Sequence, residues 1–159
     1  MFSYNGAARQ MMMAFKYEGK QEFKDFLSFA AADRLGGWIR SLRADALVPV
    51  PVHPAKKRDR GYNQAELLAK ELSAYVNIPV KDILLRKKET NASKELGIKG
   101  RVLNLKDAFA LACAVPAGKR FLLVDDILTT GVTLESCAEI LLYEGKAEAV
   151  YVLSICSGK

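Results

Sequence analysis

The string FLLVDDILTTGVT places acidic and hydroxyl side chains at a spacing suited to binding a phosphorylated sugar. Asp125 and Asp126 are adjacent, so their like charges repel unless the folded or liganded protein compensates them. Such carboxylates accept hydrogen bonds from ribose hydroxyls or hold a hydrated magnesium ion. The segment 128–133, LTTGVT, follows directly and offers hydroxyl and backbone N–H donors for a phosphate group.

The turn after the acidic pair has the features of an anion site. Backbone N–H groups at a helix start lack intrahelical partners and carry partial positive charge. Gly131 permits a tight turn at this point. A simpler interpretation makes the carboxylates loop caps and the threonines ordinary turn residues, but the whole ordered string favours a ligand site. The candidate phosphate-binding residues are Leu128, Thr129, Thr130, Gly131, Val132 and Thr133.

Two basic stretches account for much of the net charge of +6, namely KKRDR at 56–60 and RKK at 86–88. They are either solvated surface or an attraction to a polyanion, which is a nucleic acid or a phosphorylated small molecule. Charge alone favours the solvated surface. The first stretch has a single aromatic neighbour, Tyr62, and therefore lacks the interleaved stacking platform of a single-strand binder.

Apolar periodicity predicts strands alternating with helices, and so a three-layer α/β domain with a mainly parallel twisted sheet flanked by helices. Asn63 and Glu66 resemble a capping box, followed by a helix whose Leu68, Leu72, Tyr75 and Val76 share a face. The segment 87–106 is polar and weakly patterned, as in a loop or an irregular helix. The remaining predicted helices cover about 7–17, 23–39 and 134–142, and the predicted strands 46–50, 80–86, 107–112, 120–125 and 148–155.

Ligands of such sheets lie at the carboxyl ends of the strands. The strand 121–124 is expected to end at the acidic pair, and LTTG then forms the turn into a helix that begins near Val132. A loop over 53–62, HPAKKRDRGY, is expected to follow the strand 46–50. The predicted site therefore combines a carboxylate pair with the turn that follows it.

The 159 residues suit one domain over 1–159, with a helical N-terminal segment over 1–42 and an α/β core over 45–159. No apolar run has the length of a membrane span, and no signal-peptide layout is present, so we expect a cytoplasmic protein. Cys113, Cys137 and Cys156 form no CxxC pair, and the latter two are expected to be buried thiols.

The string FLLVDDILTTGVT resembles the phosphoribosyl-diphosphate (PRPP) motif of type I phosphoribosyltransferases. VPVPVHPAKKRDRGYNQAELLAKEL resembles a second signature of their ComF/ComFC subfamily, and AFKYEGK and LLRKKET are similar to its flanking segments. The resemblance implies the type I phosphoribosyltransferase fold. It also implies a magnesium-dependent transfer of the phosphoribosyl group from PRPP to a nitrogenous acceptor, with release of pyrophosphate. The sequence does not identify that acceptor.

The resemblance also implies a role for each motif residue. Asp125 and Asp126 would bind the ribose hydroxyls and Mg²⁺, and 128–133 would hold the 5′-phosphate. His53–Arg60 would face pyrophosphate, where Arg58 and Arg60 would stabilise the charge of the leaving group. The base of a closing flap would comprise Arg86, Lys87, Lys88 and Thr90.

Three further residues in the matched segments leave questions open. His53 is either a pyrophosphate donor or a residue that orients its loop. Lys16 and Tyr17 match a feature of the subfamily, but their chemistry does not follow from the sequence.

The sequence also departs from the subfamily pattern. Ser93 stands where the flap usually carries a glutamine, and the four-cysteine zinc module with which ComF-like proteins often begin is not in this sequence. The first departure weakens the analogy for flap chemistry and acceptor choice, and the second weakens it for DNA uptake and partner binding. The acceptor hood is expected in the N-terminal helices or in 87–106.

A second hypothesis keeps the pocket but not the turnover. The protein would then be a PRPP sensor, or a competence and DNA-uptake accessory protein that binds single-stranded DNA or a protein partner. The sequence does not settle the oligomeric state, although type I relatives are often homodimers.

Overall fold

The strand that carries the acidic pair lies inside a four-stranded parallel sheet. The structure is a computed structural model that describes residues 2–88 and 107–158. Its helices are α1 (Gly6–Tyr17), α2 (Phe23–Ser41), α3 (Pro54–Arg60), α4 (Gln64–Val76) and α5 (Val132–Glu139), which continues as a π-helical segment, Ile140–Glu144. Its strands are β1 (Phe2–Ser3), β2 (Ala46–Pro49), β3 (Leu84–Arg86), β4 (Phe109–Leu111), β5 (Arg120–Leu128) and β6 (Ala149–Ser157).

The sheet has the strand order β1-β6-β5-β2, with parallel pairing throughout. β3 and β4 form a separate antiparallel pair. Because β5 has a parallel neighbour on each side, its backbone groups form hydrogen bonds with both neighbouring strands. Its side chains must therefore be buried on both faces of the sheet. The predicted α/β class with a mainly parallel sheet is confirmed.

The alternation of side chains along β5 separates two apolar cores. Leu122 and Val124 join the core that contains residues of α1, α2 and α4. Phe121 and Leu123 join the core that contains residues of α5, β3 and β4. Helices therefore cover one face of the sheet, while α5 and the β3–β4 pair cover the other.

The loop predicted over 53–62 is wrong, because residues Pro54–Arg60 form α3. Pro54 stands in the first turn, where its fixed φ suits a helix and its missing N–H costs nothing. The Nδ1 of His53 accepts a hydrogen bond from the backbone N–H of Ala55 at 3.3 Å. Gly61, with φ of 81°, ends the helix in the left-handed conformation.

β5 also runs past the end that was predicted for it. Its pairing with β6 continues through Asp125 opposite Ser154 to Leu128 opposite Ser157, so the acidic pair belongs to the strand. At the other end of the chain, Phe2–Ser3 is a short strand on β6 and not part of a wholly helical N-terminal segment. Neither feature has a local sequence signal, since both depend on the partner strand.

The start of α4 keeps half of the predicted capping box. The side chain of Asn63 accepts from the N–H of Ala65 at 3.2 Å and donates to the carbonyl oxygen of Val50 at 3.0 Å. The carboxylate of Glu66 instead pairs with Lys57 and with a lysine one turn further along α4. Asn63 thus joins α4 to the end of β2.

The buried face of α4 differs from the predicted one at a single position. Leu68, Leu72 and Val76 are buried as predicted, whereas Tyr75 is exposed. Cys137 and Cys156 are buried free thiols, as predicted. Among the described residues, no helix combines the length and the apolar character needed to cross a membrane.

We predict that Asn63→Ala lowers the free energy of unfolding by about 2 kcal/mol, because it removes a helix cap and leaves the buried carbonyl of Val50 without its donor. Urea unfolding measures the loss. Asn5→Ala is the matched control, since Asn5 stands at the N-cap of α1 but its side chain makes no capping hydrogen bond. Equal losses in the two variants would contradict the assignment.

Candidate functional site

The carboxyl end of β5 presents its two carboxylates to opposite faces of the sheet, as adjacent strand residues must. On the face of α1, the Nζ of Lys16 lies 2.8 Å from Oδ2 of Asp126. Both side chains are largely buried, with 18% and 11% of their surface exposed. This ion pair relieves the repulsion between the two adjacent carboxylates, because Lys16 neutralises the charge of Asp126.

Asp125 is held differently. One of its carboxylate oxygens accepts the backbone N–H of Asp126 at 2.9 Å. Burial raises the pKa of Asp125 to about 7, and the charge of Asp126 adds to this rise, while the same N–H, Lys16 and Arg86 oppose it. A carboxyl group in this setting takes up a proton near neutral pH, which also reduces the repulsion between the two acids.

Cys137 lies close enough to Asp125 for the charge of that carboxylate to change the pKa of its thiol. Burial raises the pKa of this thiol, and the charge of Asp125 raises it further. The thiol therefore stays protonated and packs into the core between α5 and the sheet.

The turn after β5 has the geometry of an anion site. Gly131 adopts φ of 85°, in the left-handed region, and stands at the N-cap of α5. It has no side chain to cap the first N–H groups of the helix. Thr129 and Thr130 are exposed, whereas Val132 is buried and anchors the turn. Leu128 and Thr133, both partly buried, complete the predicted phosphate-binding segment.

The cationic helix α3 presents its arginines in two ways. The guanidinium of Arg60 lies over the ring of Tyr17, 5.1 Å from its centroid, and its Nη1 donates to Oε1 of Gln64 at 3.3 Å. Arg58 is exposed. His53 acts locally as the cap of α3, which supports the orienting role, and its role as a pyrophosphate donor stays a prediction.

The predicted flap base is only partly described. Arg86 ends β3, lies 5.2 Å from the centroid of Phe109, and has a pKa lowered chiefly by burial, which the charge of Asp125 opposes. Lys88 is exposed, 4.0 Å from the carboxylate of Asp107. The backbone N–H of Lys87 donates to a carbonyl beside β4. Thr90 and Ser93 lie outside the described residues.

Arg86 is thus the flap-base residue that the structure places near the acidic pair. The structure also gives a contact to Lys16, for which the sequence indicated no chemistry. No local signal could have found that contact, because the two partners of the ion pair are 110 positions apart in the chain (126 minus 16).

The acidic pair offers the hard oxygen donors that magnesium prefers. Among the described residues, no cluster of three or more His, Cys, Asp or Glu side chains could hold a metal on its own. A magnesium ion at this pair would therefore have to take most of its ligands from a phosphorylated ligand and from water.

Comparison with known proteins identifies the family. The family described as "Phosphoribosyl transferase domain" matches residues 60–158, which include the acidic pair and the turn after it. This chain belongs to that family. The match covers more than half of the sequence and agrees with the parallel sheet, so the fold is that of a type I phosphoribosyltransferase.

The similar curated proteins are named as competence proteins or as DNA utilization proteins. The chain is 40% identical over 107 residues to Competence protein F of Haemophilus influenzae, covering 65% of this chain and 47% of that protein. It is 35% identical over 113 residues to DNA utilization protein YhgH of Escherichia coli, covering 70% and 49%. It is 28% identical over 154 residues to Competence protein ComFC of Bacillus subtilis, covering 94% and 60%. The chain thus spans about half the length of the first two, and the family is ComF-like.

We predict that Asp125→Asn stabilises the fold at pH 8 and that the gain vanishes toward pH 4. The raised pKa means that the folded state disfavours ionised Asp125, so the wild type loses stability as pH rises from about 4 to about 7. An amide never ionises and avoids that loss. Thermal melting across this range should show a melting temperature several degrees above the wild type at pH 8.

Asp126→Asn supplies the opposite comparison, because it leaves Lys16 largely buried without its partner and should lower the melting temperature at pH 8. A shift for Asp125→Asn that does not change with pH would contradict the assignment.

Proposed function

We propose that this protein binds PRPP together with Mg²⁺ and transfers the phosphoribosyl group to a nitrogenous acceptor. The observation that carries the proposal is the acidic pair at the carboxyl end of central β5, followed by the left-handed Gly131 at the start of α5. The family match adds support, because it includes this whole stretch. The acceptor is not identified by any described residue.

The proposed donor site assigns the ribose to the acidic pair and the 5′-phosphate to the turn. Carboxylate oxygens of Asp125 and Asp126 accept hydrogen bonds from the ribose hydroxyls, and backbone N–H groups of 128–133 donate to the phosphate. The acidic pair would hold Mg²⁺, through direct coordination by at least one carboxylate or through water. When bound, the metal supplies positive charge to the ribose and pyrophosphate oxygens.

The leaving group sets the remaining requirement. Loss of pyrophosphate from the sugar leaves a cationic sugar carbon and a strongly anionic leaving group, so preorganised cations lower the barrier. Arg58 and Arg60 of α3 and Arg86 of β3 are the candidates for this role. Arg60 is the best positioned of the three to act as a fixed charge, because Gln64 and the ring of Tyr17 orient its guanidinium.

We predict that Gly131→Ala weakens PRPP binding about tenfold or more, measured by calorimetry with Mg²⁺, because a side chain disfavours the left-handed turn that aims the N–H groups. Gly118→Ala is the matched control, since Gly118 also has positive φ but lies at the start of β5, the end opposite the acidic pair. Both variants should lose about 1 kcal/mol of stability, but only the first should lose affinity.

Turnover is tested by pyrophosphate release from PRPP across a panel of nitrogenous bases. Release with at least one base, abolished by Asp126→Asn, supports the enzyme. Binding of PRPP without release from any base would favour a sensor, and the absence of PRPP binding by the wild type would refute both.

The second candidate is an accessory protein in DNA uptake that binds single-stranded DNA. The exposure of Arg58 on a helix that also carries Lys57 and Arg60 favours it, as do the names of the curated relatives. A protein partner is the further alternative in this class.

We predict that Arg58→Gln, if single-stranded DNA binds at α3, reduces the slope of log K against log salt by about 0.7. Arg43→Gln is the control, because Arg43 is an exposed arginine that precedes β2 at the opposite edge of the sheet. Fluorescence anisotropy with a labelled oligonucleotide measures both slopes. Equal slopes in the two variants would exclude α3 as the DNA-binding surface.

A further inference from the structure

The last turn of α1 reaches the acidic pair through one side chain. The ammonium group of Lys16 lies 2.8 Å from Oδ2 of Asp126, and both side chains are at least four-fifths buried. A buried carboxylate without a partner is costly, and so is a buried ammonium. Each group therefore makes the burial of the other acceptable, and the contact fixes where the carboxylate lies.

The residues on either side of Lys16 hold it in place. The ring of Phe15 stacks on that of Tyr62, with centroids 5.9 Å apart, and its carbonyl oxygen accepts a hydrogen bond from the Tyr62 hydroxyl. The ring of Tyr17 lies under the guanidinium of Arg60. Because both neighbours are anchored on the segment between β2 and α4, the lysine is set against β5 by packing and not by its own flexibility.

The charge of the site depends on this lysine. Without it, the carboxylate of Asp126 would carry an uncompensated negative charge, which attracts a divalent cation. With it, one carboxylate is neutralised by a residue of the protein itself. The folded protein thus supplies the cation at Asp126, which is the ammonium group of Lys16, before any ligand binds.

We propose that Lys16 is a positioning residue and the resident cation of the acidic pair: its ammonium group neutralises Asp126, fixes that carboxylate against α1, and withholds it from direct coordination of a divalent metal. This inference rests on the proposed function and refines it. Asp126 then acts on the sugar as a hydrogen-bond acceptor through its second oxygen. Any metal that enters with PRPP is held by the ligand, by water and by the other carboxylate.

The test is the affinity of the protein for Mn²⁺ alone, measured by calorimetry without PRPP. Lys16→Met should bind Mn²⁺ about tenfold more tightly than the wild type. One unit charge acting on a divalent ion about 5 Å away changes affinity by about that factor even in bulk water. Lys16→Arg keeps the charge and should stay within about twofold of the wild type.

Lys20→Met is the matched control, because Lys20 pairs with Glu18 at the surface, with about half of its side chain exposed. It should leave the Mn²⁺ affinity unchanged. Lys16→Gln is the second neutral variant, which can still donate a hydrogen bond to Asp126 if the methionine variant does not fold. A Mn²⁺ affinity within twofold of the wild type in a folded neutral variant would overturn the proposal.

The outcome is separable from that of the proposed function. If the wild type does not bind PRPP, the proposed function fails, yet the Mn²⁺ comparison among the lysine variants still decides the role of Lys16. If PRPP binds and the Mn²⁺ affinities do not differ, the donor site stands and the role of Lys16 as resident cation is refuted.

Discussion

The parallel pairing of β5 between β2 and β6 is the constraint on which the rest of the structure depends. A strand with a partner on each side has no free edge, and its side chains enter a core on both faces. Leu123 faces α5, and Val124 faces the helices of the other side. The same alternation continues into the acidic pair and sends Asp125 and Asp126 to opposite faces. The candidate site is therefore a continuation of the core, and burying its charged groups costs free energy.

The negative charges of the two buried carboxylates are reduced in different ways on the two faces of the sheet. Asp126 is compensated by a fixed cation, whereas Asp125 has a pKa raised to about 7 and loses charge by taking up a proton. Such an arrangement is typical of binding sites, where stability is given up for a ligand that restores it. A sugar with hydroxyl groups and a bound cation would compensate Asp125 in place of the proton. The raised pKa thus reflects a carboxylate whose charge the fold alone does not fully compensate.

The sequence predicted the parts of the fold that depend on local pattern. Apolar periodicity located α1, α2 and α4, and the ordered string around the acidic pair located the turn at Gly131. The sequence did not predict the features that depend on residues far away in the chain. The extension of β5 through Leu128 depends on β6, the short strand Phe2–Ser3 depends on the same partner, and the ion pair of Lys16 joins residues far apart in the chain. The helix α3 differs from the predicted loop for a local reason, because a run of lysines and arginines is as typical of a solvated loop as of a short helix.

Lys16 contributes to the acidic pair from outside the segment that the family match covers. The family match begins at residue 60, so it contains the acidic pair but not the cation that compensates it. Two chains with the same acidic pair and turn can therefore differ in the charge at that pair, depending on what their N-terminal helix contributes. Because α1 also supplies the ring beneath Arg60, the last turn of this helix contacts both the acidic pair and the arginine that is proposed to face pyrophosphate. The charge at the acidic pair is set jointly by the strand that the family shares and by a helix outside the match.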